Sequence, residues 1–231
     1  MNLLMGPAAG LLCLILIPLS CTRVEGSQSE TEGTSIDLPK PQTESEVSIE
    51  EALQQRQSVR KYSEDPLSLT EIGQLLWAAQ GINRPGGFRT APSAGALYPL
   101  EVYVIAGNVK NLPAGIYKYN IPDHQLVKIV DGDQRSALGN AALGQGCIKS
   151  APAVMVLTAV YERTKKKYGE RGVRYAQIEV GCAAQNVYLQ AVSLSLGTVF
   201  IGAFDDDEVR KVLGAPDDEQ PLAILPVGKI R

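Results

Sequence analysis

The sequence predicts an α+β domain with a central mixed sheet, and three patterns support this fold class. Strand-like runs of alternating or continuous apolar residues recur through the second half of the chain and are separated by turn residues. Two earlier segments carry the start signals of amphipathic helices. A long segment over residues 174–197 has the apolar spacing of a helix that is packed on several sides.

Length and composition indicate a globular chain with a substantial core. The chain has 231 residues, of which 45% are hydrophobic and 20% are charged, so we expect one sizeable domain with ancillary segments. The formal net charge of -3 argues against a nucleic-acid binder, because such proteins need a basic face to displace counterions from phosphates. Small-molecule partners are therefore favoured over nucleic acid.

The N-terminal residues have the pattern of an export signal. Residues 1–21 contain no charged side chain and hold an apolar run of signal-peptide length, and the stretch Leu19–Cys21 resembles the end of a lipoprotein signal. We expect an exported protein with Cys21 as a candidate lipid anchor to the cell envelope. The alternatives are an uncleaved anchor or a different start with a cytoplasmic location. Residues 22–46 are rich in Ser, Thr, Glu and Pro and predict a flexible linker, so the domain is expected over 47–231.

Two capping boxes predict the first helices of the domain. Ser48 is followed three positions later by Glu51, which starts a helix expected to end near Ser58. Ser68 and Glu71 repeat this arrangement ahead of an apolar, helix-periodic segment. Both helices precede the strand-rich half of the chain.

Six strand-like runs follow, with one long helix and a short last helix among them. The strand-like runs are EVYVIA, GIYKYN, QLVKIV, AVMVLTAVY, GTVFIG and LAILPVG. The second and third are expected to pair as a hairpin across IPDH. The packed face of the long helix is expected to carry Ile178, Cys182, Gln185, Leu189 and Val192.

Several common chemistries lack the residues they need. The chain has one histidine, His124, in the predicted hairpin turn, where we expect it to be solvated; this leaves no material for a Ser/His/Asp triad or a multi-histidine metal site. Neither a phosphate-binding loop nor a GxGxxG motif is present, so a bound anion must be held by Arg and Lys side chains. Cys147 and Cys182 are expected to be buried thiols, with a disulfide as the alternative.

Three separated blocks together resemble one family. QRQSVRKYSEDPLS, APSAGALYPLEVYVI and AAQNVYLQAVSLSLGTVFIGAFDDDEVRKVLG, with the closing PLAILPVGKIR, are similar in order and spacing to the nitroreductase-like FMN flavoproteins. The motif SAGALYPLE is typical of the SagB-type branch, which includes dehydrogenases that oxidise azoline rings in peptides. The resemblance implies a nitroreductase-like fold with a mainly antiparallel sheet flanked by helices. It also implies a homodimer with FMN bound in the subunit interface.

The resemblance assigns phosphate-binding roles at both ends of the domain. Arg56, Ser58 and Arg60 match the family's Arg-x-Ser-x-Arg cluster, and Lys229 and Arg231 match the basic residues after its last strand. Arg56 and Arg60 are four positions apart, so in a helical turn both guanidinium groups can face one phosphate. The alternatives are a solvated helix end for the first cluster and a frayed terminus for the second.

The same resemblance places the flavin ring against two loops. Pro92, Ser93, Ala94 and Gly95 match the loop that lies along the ribityl chain and the ring, where small residues let the main chain approach a flat surface. Gly202 matches the position that presents a main-chain N–H group to flavin N5, the atom that accepts hydride. The alternative for both segments is ordinary turn formation.

Lys167 and Tyr168 match a Lys-Tyr pair that is implicated in catalysis in azoline-oxidising relatives. A phenol or an amine can remove a substrate C–H proton as a general base. The alternative is a solvated basic run with a loop tyrosine. Three functions remain open: an FMN-dependent dehydrogenase, an NAD(P)H-dependent nitro or quinone reductase, and a non-enzymatic flavin-binding module.

Overall fold

The computed structural model describes residues 35–231, which form an α+β domain, and the fold class is thereby confirmed. The elements in chain order are β1 (Ser35–Asp37), α1 (Ile49–Gln55), α2 (Leu69–Gln80), β2 (Ile82–Arg84), β3 (Phe88–Arg89), β4 (Leu100–Ala106), β5 (Gly115–Asn120), β6 (Gln125–Asp131), α3 (Arg135–Ala141), α4 (Gly146–Ser150), β7 (Ala153–Val160), α5 (Tyr161–Tyr168), α6 (Arg171–Ser193), β8 (Leu196–Thr198), α7 (Asp206–Leu213) and β9 (Glu219–Lys229). The predicted signal peptide and Cys21 lie outside the described residues.

Seven strands form one sheet in the order β1-β6-β5-β4-β7-β9-β8, and each neighbouring pair is antiparallel. The predicted hairpin is present, because β5 and β6 pair from Asn120 opposite Gln125 back to Gly115 opposite Asp131. A separate small hairpin joins β2 and β3. The sheet is the mainly antiparallel one that the resemblance implied.

Side chains alternate across the strands and create two cores, one on each face of the sheet. On one face, Leu100, Val102 and Val104 of β4 are buried together with residues of α2 and α6. On the other face, Tyr103 and Ile105 are buried with residues of α3, α4 and α7. The largest helix, α6, thus runs along one side of the sheet, where it positions the segments described below.

The structure corrects the predicted linker over its last twelve residues, 35–46. Ser35–Asp37 form the edge strand β1 beside β6, Leu38 is buried, and Gln42 exchanges hydrogen bonds with the Gln74 side chain at 2.8 and 3.0 Å. The compact body therefore begins before residue 47. Composition did not predict this ordered segment, because a few backbone and side-chain hydrogen bonds hold it in place although it has little apolar surface.

His124 is not a solvated turn residue, as the sequence had predicted. Its Nε2 lies 3.0 Å from the Pro39 carbonyl oxygen and its Nδ1 lies 2.7 Å from the Tyr119 hydroxyl. Burial lowers the pKa of the imidazole, which favours the neutral ring that can donate at one nitrogen and accept at the other. His124 therefore fastens the N-terminal segment to the β5–β6 hairpin.

The predicted packed face of α6 is also wrong. The residues of α6 that pack on the sheet include Ala176, Val180, Ala184 and Val187, whereas Ile178 is 55% exposed. The predicted set is a half-exposed apolar line on the outer side of the helix, which we name the α6 stripe: Ile178, Cys182, Gln185, Leu189 and Val192. Small residues dominate the true inner face, and the prediction was wrong because it gave more weight to the larger apolar side chains.

Cys147 and Cys182 are free thiols and both are partly buried, so the disulfide alternative is not supported. Within the described residues, no helix combines the length and apolarity that a membrane crossing requires. Both findings concern residues 35–231.

Candidate functional site

The segment Arg56–Arg60 lies in extended conformation beside the sheet rather than in a helical turn. α1 ends at Gln55, and Arg56 has φ -54° and ψ 123°. Ser58 pairs with Thr198 in a parallel bridge, and the Val59 N–H group donates to the Thr198 carbonyl at 2.8 Å. The predicted helical arrangement of the two arginines is therefore wrong.

Extended geometry nevertheless directs the predicted residues to one side. Successive side chains of an extended segment point to opposite faces, so Arg56, Ser58 and Arg60 share a face that Val59 does not. Val59 packs towards the sheet, where a Cβ atom placed on Gly197 would lie 2.6 Å from its side chain. The cationic face of the segment is thus turned away from the core, where a ligand can reach it.

Tyr188, a residue that sequence reasoning missed, joins this segment to the Gly202 loop. Its hydroxyl accepts the Phe200 N–H group at 2.7 Å and lies 3.1 Å from the Ser58 hydroxyl oxygen. The Arg56 guanidinium stands over the Tyr188 ring at 5.1 Å from the centroid. Two of the family-like blocks therefore meet at one tyrosine of α6.

Gly202 lies two residues beyond Phe200 and is exposed. Ile201 exchanges both backbone hydrogen bonds with Ile224 at 2.9 Å, which fixes this end of the loop against β9. A Cβ atom on Gly202 would find only Phe200 within 4 Å, at 3.6 Å. Gly202 is therefore exposed two residues after the Phe200 N–H group that donates to Tyr188. We name this group the basic end: Arg56, Ser58, Arg60, Tyr188 and Gly202.

The C-terminal residues run next to the basic end. Tyr62 pairs with Ile230 in an antiparallel bridge, and the Ser63 N–H group donates to the Lys229 carbonyl at 2.9 Å. This register sets Arg231 beside the residues that precede Tyr62. Burial raises the pKa of the Tyr62 hydroxyl, which lies 2.7 Å from the Val59 carbonyl oxygen. The chain end is therefore anchored through its backbone.

The cations of this region lack acidic partners. Within residues 35–231, no carboxylate oxygen lies within 4.0 Å of the charged groups of Arg56, Arg60, Lys229 or Arg231. A phosphate is a suitable partner for such uncompensated guanidinium groups. An exposed main chain at Gly202 also suits a flat ring, so the donor set fits the two halves of an FMN molecule.

The Pro92–Gly95 loop is held at the other end of α6. Glu179, a buried residue that sequence reasoning also missed, accepts the Ala94 N–H group at 2.8 Å. The Tyr98 N–H group donates to the Ser93 hydroxyl at 2.8 Å, and Gly95 has a left-handed φ of 63°. Burial raises the pKa of the Glu179 carboxyl, while the Ala94 N–H group opposes that effect. The loop is therefore fixed through its main chain.

Lys167 and Tyr168 lie against this loop. They end α5, and a Cβ atom on Gly95 would be 2.8 Å from the Tyr168 hydroxyl and 3.0 Å from the Lys167 amine. The Tyr168 ring also meets the Tyr175 ring edge to face at 5.1 Å. The predicted Lys-Tyr pair and the predicted flavin loop are thus neighbours in space. We name this group the loop end: Ser93, Ala94, Gly95, Lys167, Tyr168 and Glu179.

Within one chain, the basic end and the loop end are separated along α6. Glu179 and Tyr188 are nine residues apart on α6, which corresponds to roughly 13 Å along the helix axis at about 1.5 Å per residue. The structure therefore brings the predicted residues together as two groups and does not merge them into one site. Lys229 and Arg231 belong to the side of the basic end, and Pro92 to the side of the loop end.

Comparison with known proteins agrees with these features. The model of the nitroreductase family matches residues 53–229. A Methanocaldococcus jannaschii protein named for this family is 46% identical over 197 residues, covering 85% of this chain and 98% of that protein. A crystal structure from Ralstonia eutropha JMP134, also named for the family, superimposes with a TM-score of 0.76 at 30% identity and covers 87% of this chain and 91% of that one.

The microcin B17-processing protein McbC of Escherichia coli is 30% identical over 165 residues, which cover 69% of this chain. This chain spans only 60% of the length of McbC. The match to the family model covers well over half of the chain and includes both the basic end and the loop end. The chain belongs to the nitroreductase family.

Proposed function

We propose that this protein is an FMN-dependent oxidoreductase of the SagB type, which acts as a dehydrogenase on a heterocyclic or peptide-like substrate. The observation that carries this proposal is the meeting of Arg56, Ser58 and the Phe200–Gly202 segment at Tyr188. It gathers uncompensated positive charge and open main chain into one place. When bound, FMN supplies the ring atom N5 that exchanges hydride with a substrate.

The basic end would hold the phosphate. Arg56 and Arg60 provide two guanidinium groups with no acidic partner in the described residues, and the Ser58 hydroxyl adds a neutral donor. Lys229 and Arg231 lie at the adjacent chain end and would add positive charge. Gly202 would present its N–H group to the edge of the ring, because this residue is exposed.

The loop end would supply the ring platform and the proton-transfer groups. Pro92, Ser93, Ala94 and Gly95 offer a surface without large side chains, and Glu179 fixes the Ala94 amide. Lys167 and Tyr168 flank Gly95, so a substrate that lies on this loop would contact an amine and a phenol. One of them would take the substrate proton in the general-base role.

We also propose a homodimer in which each site is shared. The α6 stripe is centred on Gln185, between Glu179 and Tyr188, and Ile178 on it is 55% exposed. Antiparallel packing of two copies of α6 about this centre would set the loop end of one chain against the basic end of the other. α1 contacts α6 and exposes Ile49 and Leu53, which would extend the same apolar surface.

A flavin titration tests the cofactor. Fluorescence quenching of FMN should report tight binding to the purified protein, and the double substitution Arg56→Gln with Arg60→Gln should weaken it at least about tenfold, since charged hydrogen bonds contribute about 1.5–3 kcal/mol each. Arg84→Gln is the matched control, because Arg84 lies on β2 and contacts Phe88. Failure to bind FMN would contradict the proposal.

Reduction of the bound flavin separates the two enzyme classes. NADPH should leave the flavin oxidised under anaerobic conditions if the chain is a dehydrogenase for another substrate. The similarity to the Methanocaldococcus jannaschii protein favours the alternative, an NAD(P)H-dependent nitro or quinone reductase, for which rapid bleaching is expected. Lys167→Ala and Tyr168→Phe should abolish turnover without loss of FMN in the first case and change the bleaching rate little in the second.

A further inference from the structure

A cavity of about 420 Å³ lies beside β5, β6 and α5. Its charged wall carries Arg89, Glu101, Lys118 and Arg163. The cavity is large enough for a small organic molecule. Nothing in the flavin site as proposed uses these residues.

The lining of the cavity also has an apolar part. It includes Ile121, Pro122, Val127 and Ile129, and Ile129 is 41% exposed. Charged and apolar side chains in one cavity favour an amphipathic ligand over a small inorganic ion, because a compact ion would leave the apolar side chains in contact with water.

The charged groups of the cavity are unevenly paired. Glu101 pairs with Arg163 and lies 3.6 Å from the Lys118 amine. Lys118 also pairs with Glu219, a buried carboxylate beneath the cavity that accepts the Tyr103 hydroxyl at 2.9 Å. Two carboxylates therefore balance the charges of Arg163 and Lys118. The guanidinium of Arg89 forms no ion pair within 4.0 Å among residues 35–231, and Glu101 and Glu179 act on its charge only at longer range.

In the described part of the chain, the direct contacts of the Arg89 guanidinium are to neutral groups. Its Nη1 donates to the Gln80 Oε1 atom at 2.9 Å, and its guanidinium stands over the Tyr98 ring at 4.5 Å from the centroid. Within residues 35–231, its Nε and Nη2 groups have no protein acceptor. These two groups form the edge that binds a carboxylate with two parallel hydrogen bonds. Burial lowers the pKa of Arg89, yet an arginine stays charged at neutral pH.

We propose that this cavity binds the carboxylate of a small ligand with an apolar body, with Arg89 as the ion partner. The apolar side chains of the lining would receive the body, and the free edge of Arg89 would receive the charged group. The cavity borders the loop end through Tyr98, whose carbonyl oxygen accepts Arg163 Nη1 at 3.1 Å and whose N–H group donates to Ser93. The proposal does not depend on the identity of the cofactor.

Isothermal titration of the full-length protein with N-acetyl-leucine tests the proposal. This probe has one carboxylate and an apolar side chain, and N-acetyl-leucinamide has the same shape without the charge. The acid should bind at least about tenfold more tightly than the amide, because only the carboxylate can accept two charge-assisted hydrogen bonds from Arg89. Inorganic phosphate, for which the basic end is a separate site, should displace the acid from the cavity only weakly.

Two variants test the residues. Arg89→Met should weaken binding of the acid at least about tenfold, in line with the loss of the charged pair. Because Arg89 also contacts Gln80 and Tyr98, a second variant leaves these contacts intact: Ile129→Glu adds a negative charge at the exposed rim, and Ile129→Gln is its neutral control. Ile129→Glu should weaken binding, whereas Ile129→Gln should retain it.

Three results would overturn the proposal: equal affinity for the acid and the amide, an undiminished affinity in Ile129→Glu, or displacement of the bound acid by phosphate at equal affinity. The first would show that the charge is not recognised, and the second that the ligand lies elsewhere. The third would replace the carboxylate ligand with a general anion. Variants that lose FMN binding should still bind the acid in this cavity, so the two proposals can fail independently.

Discussion

Tyr188 serves two segments that are far apart in the chain through a single hydroxyl group. It accepts the Phe200 N–H group and contacts the Ser58 hydroxyl, so its removal leaves a part-buried backbone donor without a partner. An unsatisfied buried donor costs about 1–3 kcal/mol. We therefore expect Tyr188→Phe to lower the free energy of unfolding by about that amount, measured by urea denaturation, and to weaken FMN binding.

Tyr175→Phe is the control for this substitution. Tyr175 lies on the same helix and packs edge to face on Tyr168, but among residues 35–231 its hydroxyl makes no hydrogen bond. Its stability should change by less than about 0.5 kcal/mol. Equal losses in the two variants would mean that the Phe200 contact contributes nothing specific.

Glu179 gives the loop end a defined dependence on pH. Burial raises the pKa of its carboxyl above the ordinary value of 4.5, so the folded protein holds this proton more tightly than the unfolded chain does. The stability that this group contributes therefore falls as the pH rises from about 4.5 through the folded pKa. Glu179→Gln keeps an oxygen for the Ala94 N–H group and cannot ionise, so it should be more stable than the wild type at pH 8 but not at pH 4.

Thermal melts of both proteins at pH 4 and pH 8 measure this difference. Glu64→Gln is the control, because Glu64 is exposed and only its main-chain oxygen is used, as an acceptor for Asn108. Its difference from the wild type should be the same at the two pH values. If Glu179→Gln shows no more pH dependence than Glu64→Gln, ionisation of Glu179 does not oppose folding.

Residue types and motifs were enough to predict the groups that face solvent at both ends, but not those that hold them. Arg56, Gly95 and Lys167 belong to motifs that can be recognised in the sequence. Glu179 and Tyr188 lie inside an apolar helix, where their partners come from distant segments. The only signal for Glu179 was a carboxylate on a helix with few charges, which the sequence alone cannot connect to Ala94.

The loop that contains Gly95 needs both left-handed backbone and open space. Gly95 has φ 63°, and a Cβ atom there would press on Tyr168 and Lys167 at 2.8 and 3.0 Å. We expect Gly95→Ala to destabilise the protein, since left-handed backbone costs a residue with a Cβ atom about 1–2 kcal/mol. The new methyl group should also displace the side chains of Lys167 and Tyr168. Urea denaturation measures the first effect, and FMN titration and turnover measure the second.

Gly87→Ala separates backbone strain from crowding. Gly87 has φ 76°, and a Cβ atom there would meet nothing within 4 Å. This variant should pay the backbone cost of about 1–2 kcal/mol and keep FMN affinity and turnover. If both variants behave alike in urea denaturation, FMN titration and turnover, the close approach of Gly95 to the Lys-Tyr pair does not affect FMN binding or catalysis.

Elements were predictable where periodicity is long, and they were misjudged where it is short. The runs that became β4, β5, β6, β7 and β9 carry six or more residues of clear pattern. β1 has three residues, and its place in the sheet depends on backbone bonds to β6 that no side-chain pattern reveals. α1 ends at Gln55 because the next segment pairs with β8, a tertiary interaction that overrides the helical propensity of the following residues.

At the scale of the whole molecule, the separation of the two ends along α6 makes the dimer a testable requirement. Ile178 lies on the α6 stripe and is 55% exposed. If two chains pack through this stripe, a charge at its edge would be buried without a partner, which is strongly unfavourable. We expect Ile178→Asp to be monomeric in light scattering and to lose bound FMN, because each site would then lack the partner's half.

Ile82→Asp provides the matched control, since Ile82 is a 39% exposed isoleucine on the β2–β3 hairpin, away from α6. It should remain dimeric and retain FMN. A chain with Ile178→Asp that stays dimeric would place the interface elsewhere. A monomer that binds FMN with wild-type affinity would show instead that the basic end of one chain is sufficient for the cofactor, and the shared site would be wrong even though the α6 stripe pairs.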